Sequence, residues 1–211
     1  MIINEIFHSI QGESTRAGLP CTFVRLTACN LRCGYCDSAH AFHEGKAMRV
    51  SEVVGAVERF GCRFVTITGG EPLLQEEVYP LMTELAAKGY DMQVETSGSV
   101  DISKVDPRVR VILDIKTPGS GEARANRWEN IEKLKQGDEV KFVLTGRSDY
   151  DWAKEILRER RLPEGIPILM SPAHGVLEPR QLAEWMTTDG STARLHLQIH
   201  KYIWGPDCRG V

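Results

Sequence analysis

The chain has 211 residues, 42% of them hydrophobic, with 26 Lys and Arg against 29 Asp and Glu for a formal net charge of -3. That balance provides no global basic field, which argues against a nucleic-acid partner. No apolar run approaches the roughly 20 residues that span a bilayer, and Met1–Glu5 lacks the basic start and apolar stretch of a secretory leader. The expectation is therefore a cytoplasmic protein with no membrane partner, in a compartment where thiols stay reduced and can hold metal.

In chain order, apolar runs rich in β-branched residues fall at Cys21–Leu26, Phe64–Thr68, Met92–Glu95, Val109–Ile115, Val140–Leu144, Ile166–Met170 and Leu195–Ile199. Several are nearly continuous, the pattern of parallel strands buried on both faces. Helical stretches separate most of them. Ser51–Phe60 sets Val53, Val54 and Val57 on one stripe behind Ser51 as N-cap. Glu76–Lys88 does the same with Val78, Leu81, Met82 and Leu85, and stops at Gly89. Trp128–Leu134, Tyr150–Arg158 and Pro179–Met186 are further helix candidates. The alternation predicts an α/β fold of βα repeats, and without a low-complexity linker residues 1–211 read as one domain. About six parallel βα units are too few for an eight-fold barrel, so an incomplete, TIM-like partial barrel is expected.

In such folds ligands bind at the C-terminal ends of the strands. The segment Cys29-Asn-Leu-Arg-Cys33-Gly-Tyr-Cys36 follows the first strand. Three soft thiolates on one short polar loop suggest an iron–sulfur cluster or a zinc ion. His40 or His43 would complete a structural zinc site. A cubane cluster has four irons, so three cysteines would leave one iron open, and an open metal position goes with chemistry. Cys21 and Cys62 sit near strand starts and read as small core residues. The other strand ends carry Gly69-Gly70-Glu71-Pro72, Thr96-Ser97-Gly98, Lys116-Thr117-Pro118-Gly119, Ser171-Pro172 and His200-Lys201. Gly69-Gly70 frees backbone for close approach, and Glu71 is held extended by the proline that follows it. Any one polar, Gly-rich loop is ordinary. Cysteines, paired glycines and His-Lys on one rim are less so.

The cysteine spacing followed by Gly-Gly-Glu-Pro resembles the radical S-adenosylmethionine superfamily. The resemblance implies that Cys29, Cys33 and Cys36 hold a 4Fe-4S cluster whose open iron chelates S-adenosyl-L-methionine, with Gly70 and Glu71 at the amino acid end of that cofactor. Glu5-Ile-Phe-His-Ser-Ile10-Gln11-Gly12-Glu13, Phe23-Val-Arg25, Cys36-Asp37-Ser38, Leu113-Asp114-Ile115-Lys116-Thr117-Pro118 and Gln198-Ile-His200-Lys201-Tyr202 narrow it, over essentially the whole chain, to the 7-carboxy-7-deazaguanine synthase family. That family converts 6-carboxy-5,6,7,8-tetrahydropterin to 7-carboxy-7-deazaguanine with loss of ammonia, a step towards queuosine and other 7-deazapurines.

The resemblance further implies a truncated barrel, a homodimer, and an electron donor such as flavodoxin. It assigns substrate contacts to Ile10, Gln11, Gly12, Glu13, Arg25, Thr68, His200 and Pro206, and cofactor contacts to Gly70, Glu71, Ser97, Lys116, Ser171 and His174. Their chemistry suits a carboxylated pterin: Gln11 and Glu13 meet amino and ring N–H groups, and Arg25 offers a planar fork for a carboxylate. Lys116 reads equally as an ion-pair partner of Asp114. Ser38 stands where the family often has a threonine whose hydroxyl ligates Mg²⁺; serine keeps the hydroxyl without the methyl that restricts rotation. Beyond Pro206 the chain continues through Asp207–Val211, with Arg209 reading as a mobile surface residue. The rivals are a glycyl-radical activating enzyme, which would need a protein-docking surface, and a non-catalytic iron–sulfur or zinc module, in which four cysteines per cluster are usual.

Overall fold

The apolar runs of the sequence become one nine-stranded sheet, described over residues 1–211 in a computed structural model. β1 (Ile2–Ile10) and β2 (Pro20–Leu26) pair antiparallel, and β3 (Lys46–Ala47) adds to the outer edge of β1. From β2 the sheet continues in parallel through β4 (Phe64–Gly69), β5 (Asp91–Thr96), β6 (Arg110–Asp114), β7 (Glu139–Leu144), β8 (Ile168–Pro172) and β9 (Arg194–Leu195). The order β3-β1-β2-β4-β5-β6-β7-β8-β9 leaves β3 and β9 as open edges. The sheet is a partial barrel that does not close, as expected.

Helices cover its outer face: α1 (Val50–Phe60), α2 (Val78–Ala87), α3 (Arg147–Glu159) and α4 (Pro179–Thr188). Val65, Ile67, Val94, Leu113, Phe142 and Leu144 point to that layer and share one core of 33 buried residues with Val53, Leu81, Tyr150 and Leu182. The strands are not apolar on both faces, however. Their alternate residues, Thr66, Thr68, Gln93, Glu95, Asp114 and Lys141, turn to the inner face beside Phe7 and Phe23, whose rings stack at 4.8 Å. A polar lumen lined by a period-2 pattern is what a site-bearing barrel needs.

Four local expectations change. β1 went unrecognised because the polar pairs Asn4-Glu5 and His8-Ser9 interrupt its apolar residues, so it makes no apolar run. α1 is capped by Arg49 instead of Ser51: the Glu52 carboxylate accepts the Arg49 N–H at 2.7 Å. Trp128–Lys133 is a 3₁₀ segment, not an α-helix, because Asn130 in its middle is fastened to the neighbouring loop, donating to the carbonyls of Gly98 and Val100 and accepting the Ile102 N–H. Of the run Leu195–Ile199 only Leu195 is in strand. The Ile199 N–H is captured by the Gly12 carbonyl at 3.0 Å, and the chain turns into α5 (Ile199–Ile203).

Candidate active site

The lumen opens at the C-terminal ends of the parallel strands into a cavity of about 620 Å³. Cys29, Cys33, Cys36 and Ser38 form one wall; Ile10, Gln11, Gly12, Glu13, Arg25 and Thr68 a second; Gly70, Ser97, Lys116 and His174 a third; and His200 and Pro206 close it from the C-terminal segment. Of the residues to which the resemblance gives contacts or ligation, Glu71 and Ser171 alone do not line it.

The cysteine loop leaves β2 through Ala28, a non-glycine residue at φ 80°. Its shape is set by protein bonds. The Gly34 N–H donates to Ser120 O at 3.0 Å, and the Arg32 guanidinium donates to the carbonyls of Cys29 and Leu31 and lies 4.3 Å from the Phe42 ring centroid. All three thiols are free and half-buried. Burial pushes the Cys33 thiol up to about 11 despite Lys116 nearby; a bound metal would draw off that proton. His40 lines the cavity with the three thiols and His43 does not; a cluster takes each thiolate on a separate iron. Gly70 is pressed against this loop: a Cβ there would meet Ala28 O and sit 2.6 Å from Cys29 Cβ. Only glycine lets the two motif loops come together. The Ser38 hydroxyl faces the same cavity, 3.8 Å from Cys36 Sγ, a position where one oxygen ligand and bound waters suit Mg²⁺.

Glu71 is placed differently from the expectation. Its side chain is fully buried behind the wall. Oε1 accepts from Leu73 N and Thr96 Oγ1 at 3.1 and 2.8 Å, and Oε2 from Ser97 N and Ser97 Oγ at 2.7 and 2.5 Å. Burial raises its pKa, these donors opposing. Glu71 thus shapes the Ser97 loop, leaving its backbone for a ligand. Each oxygen faces a backbone N–H that can only donate, so the amide of Glu71→Gln would set donor against donor in either rotamer. We expect that variant to lose about 2 kcal/mol in urea unfolding; unchanged stability would contradict the bonding. Ser171 is also buried, its hydroxyl without a partner. Lys116 is an ion-pair partner of Asp114 at 3.1 Å and still reaches the cavity.

The second wall joins the two ends of the chain. The His200 ring lies against Gly12, where a Cβ would collide with it. Gln11 Nε2 donates to Thr66 Oγ1 at 2.9 Å, and Gln11 Oε1 accepts the Glu13 N–H at 3.0 Å. The Glu13 carboxylate takes Lys141 Nζ and Gln198 Nε2, both at 2.7 Å. Burial alone would raise the Glu13 pKa, but Lys141, His196, His200 and Gln198 hold it well below the usual carboxylate range. Burial lowers the pKa of His200, favouring the neutral imidazole. Lys141 also pairs with Asp114 at 3.3 Å, and Thr68 Oγ1 donates to Glu95 at 3.0 Å. Lys201 joins Asp37 at 2.6 Å. Glu5, Asp37, Gln198 and Lys201 lie inside the motif runs but carried no role from sequence. Lys141 and Glu95 were missed, and a signal existed: an ionisable residue at an inward position of a buried strand. The C-terminal tail is exposed, as expected of a surface segment, yet it borders the site. Asp207–Val211 line the cavity mouth, with Arg209 paired to Glu44 at 3.2 Å, and they bring Cys208 to the cavity of the three loop cysteines.

The sequence profile of the Radical SAM superfamily matches residues 24–136. The chain is 43% identical over 226 residues to a 7-carboxy-7-deazaguanine synthase of Koribacter versatilis, covering 100% of each. It is 44% identical over 212 residues to one of Chlorobaculum tepidum, covering 99% of this chain and 96% of the relative. Among solved structures it resembles the crystal structure of QueE from Escherichia coli with a TM-score of 0.78 at 25% identity, covering 93% of this chain and 92% of that one.

Proposed function

The chain belongs to the radical S-adenosylmethionine superfamily and, within it, to the 7-carboxy-7-deazaguanine synthases, and from that premise we infer that its cavity converts 6-carboxy-5,6,7,8-tetrahydropterin to 7-carboxy-7-deazaguanine with loss of ammonia. The observation that carries this is the single cavity on which three free thiols and a wall of pterin-type donors and acceptors face one another. Cys29, Cys33 and Cys36 hold the 4Fe-4S cluster. The Gly70 backbone, Ser97, Lys116 and His174 hold S-adenosyl-L-methionine, with Glu71 and Ser171 shaping that wall from behind. Ser38 contributes its hydroxyl to Mg²⁺. When bound, cluster and cofactor supply one-electron chemistry and hydrogen-atom abstraction. The chain's own side chains bind and orient. Glu13, kept ionised, accepts from amino and ring N–H groups of the pterin. Gln11 and Thr68 fix its edge, and Arg25 takes its carboxylate. His200 offers a neutral imidazole against Gly12, and Pro206 covers the ring from the tail.

Around that reaction we place an electron donor such as flavodoxin, a homodimer, a cytoplasmic setting and a single domain spanning residues 1–211. Support for the last is a core cluster of 33 buried residues that runs from Ile3 to Met186. No helix is long and apolar enough to cross a membrane, and a net charge of -3 provides no global basic field for nucleic acid.

The test is an anaerobic assay of the reconstituted enzyme with dithionite, S-adenosylmethionine, Mg²⁺ and the carboxypterin. Mass spectrometry should find 7-carboxy-7-deazaguanine without a partner protein, and with S-adenosylmethionine recovered. Deoxyadenosine without deazaguanine would overturn the substrate and leave the superfamily chemistry standing.

A further inference from the structure

Glu5 is a cavity residue to which the reaction as derived gives no part. It sits on β1, across the antiparallel pair from Arg25 on β2, in register with it. Its Oε1 accepts Arg25 Nε–H at 2.7 Å. His40 Nε2, buried and without a hydrogen-bond partner, lies 3.6 Å from the same oxygen. Phe7, stacked on Phe23, places its ring centroid 5.8 Å from Arg25 Cζ. The tail approaches the other oxygen: a Cβ on Gly210 would lie 3.9 Å from Oε2. Glu5 is thus held on several sides, and Arg25 makes no other ion pair.

We propose that Glu5 is the positioning residue of the carboxylate subsite, fixing Arg25 through Nε so that the two terminal nitrogens present an end-on fork to the substrate's carboxylate. A guanidinium offers a carboxylate two bidentate edges, one through Nε and one Nη, the other through both Nη groups. Glu5 takes the Nε–H of the first and leaves the second. A free arginine on a long stem would lose rotamer entropy on binding, and one already held by a carboxylate loses less. Glu5 also cancels the net charge of the pair, so an anion is selected by the fork's geometry rather than by bulk positive potential. That gives the site a means to prefer a planar carboxylate at one place on the pterin over other anions. His40, on the turn that follows the cysteine loop, packs against Glu5 and limits its rotation.

The proposal rests on Arg25 receiving the carboxylate, and its test separates the two. Calorimetry on the cluster-reconstituted enzyme without reductant, so that nothing turns over, compares 6-carboxy-5,6,7,8-tetrahydropterin with 5,6,7,8-tetrahydropterin. Glu5→Gln and Glu5→Ala both remove the charge and differ in whether an acceptor remains for Arg25 Nε–H. For the carboxylated pterin, Glu5→Ala should bind about tenfold more weakly than Glu5→Gln. For the pterin lacking the carboxylate the two variants should be equal. Equal affinities of the variants for the carboxylated pterin, or the same ratio for both pterins, would overturn the positioning role. Arg25→Ala should erase the protein's preference for the carboxylated ligand. If the preference persists there, the carboxylate assignment itself falls, whichever way Glu5 behaves. The unfolding midpoints of the variants without cluster, expected to match the parent, check that the fold is intact.

Discussion

Cys33→Ala should abolish deoxyadenosine and deazaguanine formation together and strip the reconstituted enzyme of most of its iron, while the protein without cluster unfolds as the parent does. The two halves of this expectation have separate causes. A cubane held by three thiolates loses an anchor, and no nearby oxygen or nitrogen ligand replaces a soft sulfur. The fold is indifferent because Cys33 Sγ makes no hydrogen bond. The loop is instead pinned by Gly34 to Ser120, by Arg32 N–H to Glu122 at 2.6 Å, and by buried Leu31. A half-exposed side chain without partners moves stability by about 0.5 kcal/mol or less. The informative companion is Cys208→Ala. The tail brings this thiol to the same cavity, and it is the one other cysteine that lines it. Unchanged iron content and unchanged turnover in Cys208→Ala would keep one iron free for the cofactor. Loss of iron in that variant would mean four thiolates, and the open-iron chemistry would fail with it.

Cys208 also shows where the sequence stopped being informative. The order of βα units, the site at the strand ends and the three-cysteine loop were legible because each rests on local pattern: apolar runs, spacing and turn residues. Most of the marked residues, from Ile10 at one end to Pro206 at the other, do meet in one cavity. What was not legible depends on long-range closure. Nothing in Asp207–Val211 says that the tail lies across the mouth of a cavity started by β1. The Gly12–His200 contact needs residues far apart in the chain to touch, and glycine at 12 explains itself only once the imidazole is seen beside it. Glu71 shows a subtler limit. The motif puts it next to Gly70, but sequence does not say which way a side chain turns, and here it turns inward to fasten Ser97. β1 was lost because an apolar run was the signal sought, and its polar pairs Asn4-Glu5 and His8-Ser9 interrupt one; the parallel strands in turn alternate between core and lumen.

The same alternation hides the strongest electrostatic feature of the site. Lys141 reads as an odd residue in an apolar strand, yet its ammonium is the counter-charge for Glu13 at 2.7 Å and for Asp114 at 3.3 Å, with Glu95 near. Burial works against that charge, and the three carboxylates outweigh it, so its pKa stands well above the usual lysine range. Lys141→Met would leave Glu13 and Glu95 without their nearest cation in a place too dry to hydrate them. Breaking one partner out of a buried pair is costly, and with Lys116 still beside Asp114 the expected loss is about 3 kcal/mol at neutral pH. The pH dependence gives the sign. In the parent, Glu13 is depressed on folding, so its contribution is present above its unfolded pKa and is lost as the pH falls through the folded one. Lys141 is raised, so its contribution is present below its unfolded pKa and is lost as the pH rises through the folded one. The pair is therefore at full strength from roughly pH 5 to pH 10. In Lys141→Met the stranded carboxylates gain protons more readily folded than unfolded, so the variant recovers on mild acidification while the parent does not. Urea unfolding at pH 7 and pH 5 should show the deficit shrinking. A deficit of the same size at both values would mean that Lys141 works by packing its stem rather than by its charge. Adding Glu13→Leu to Lys141→Met should cost less than the two single losses summed, because the second change removes the very charge that the first left unpaired.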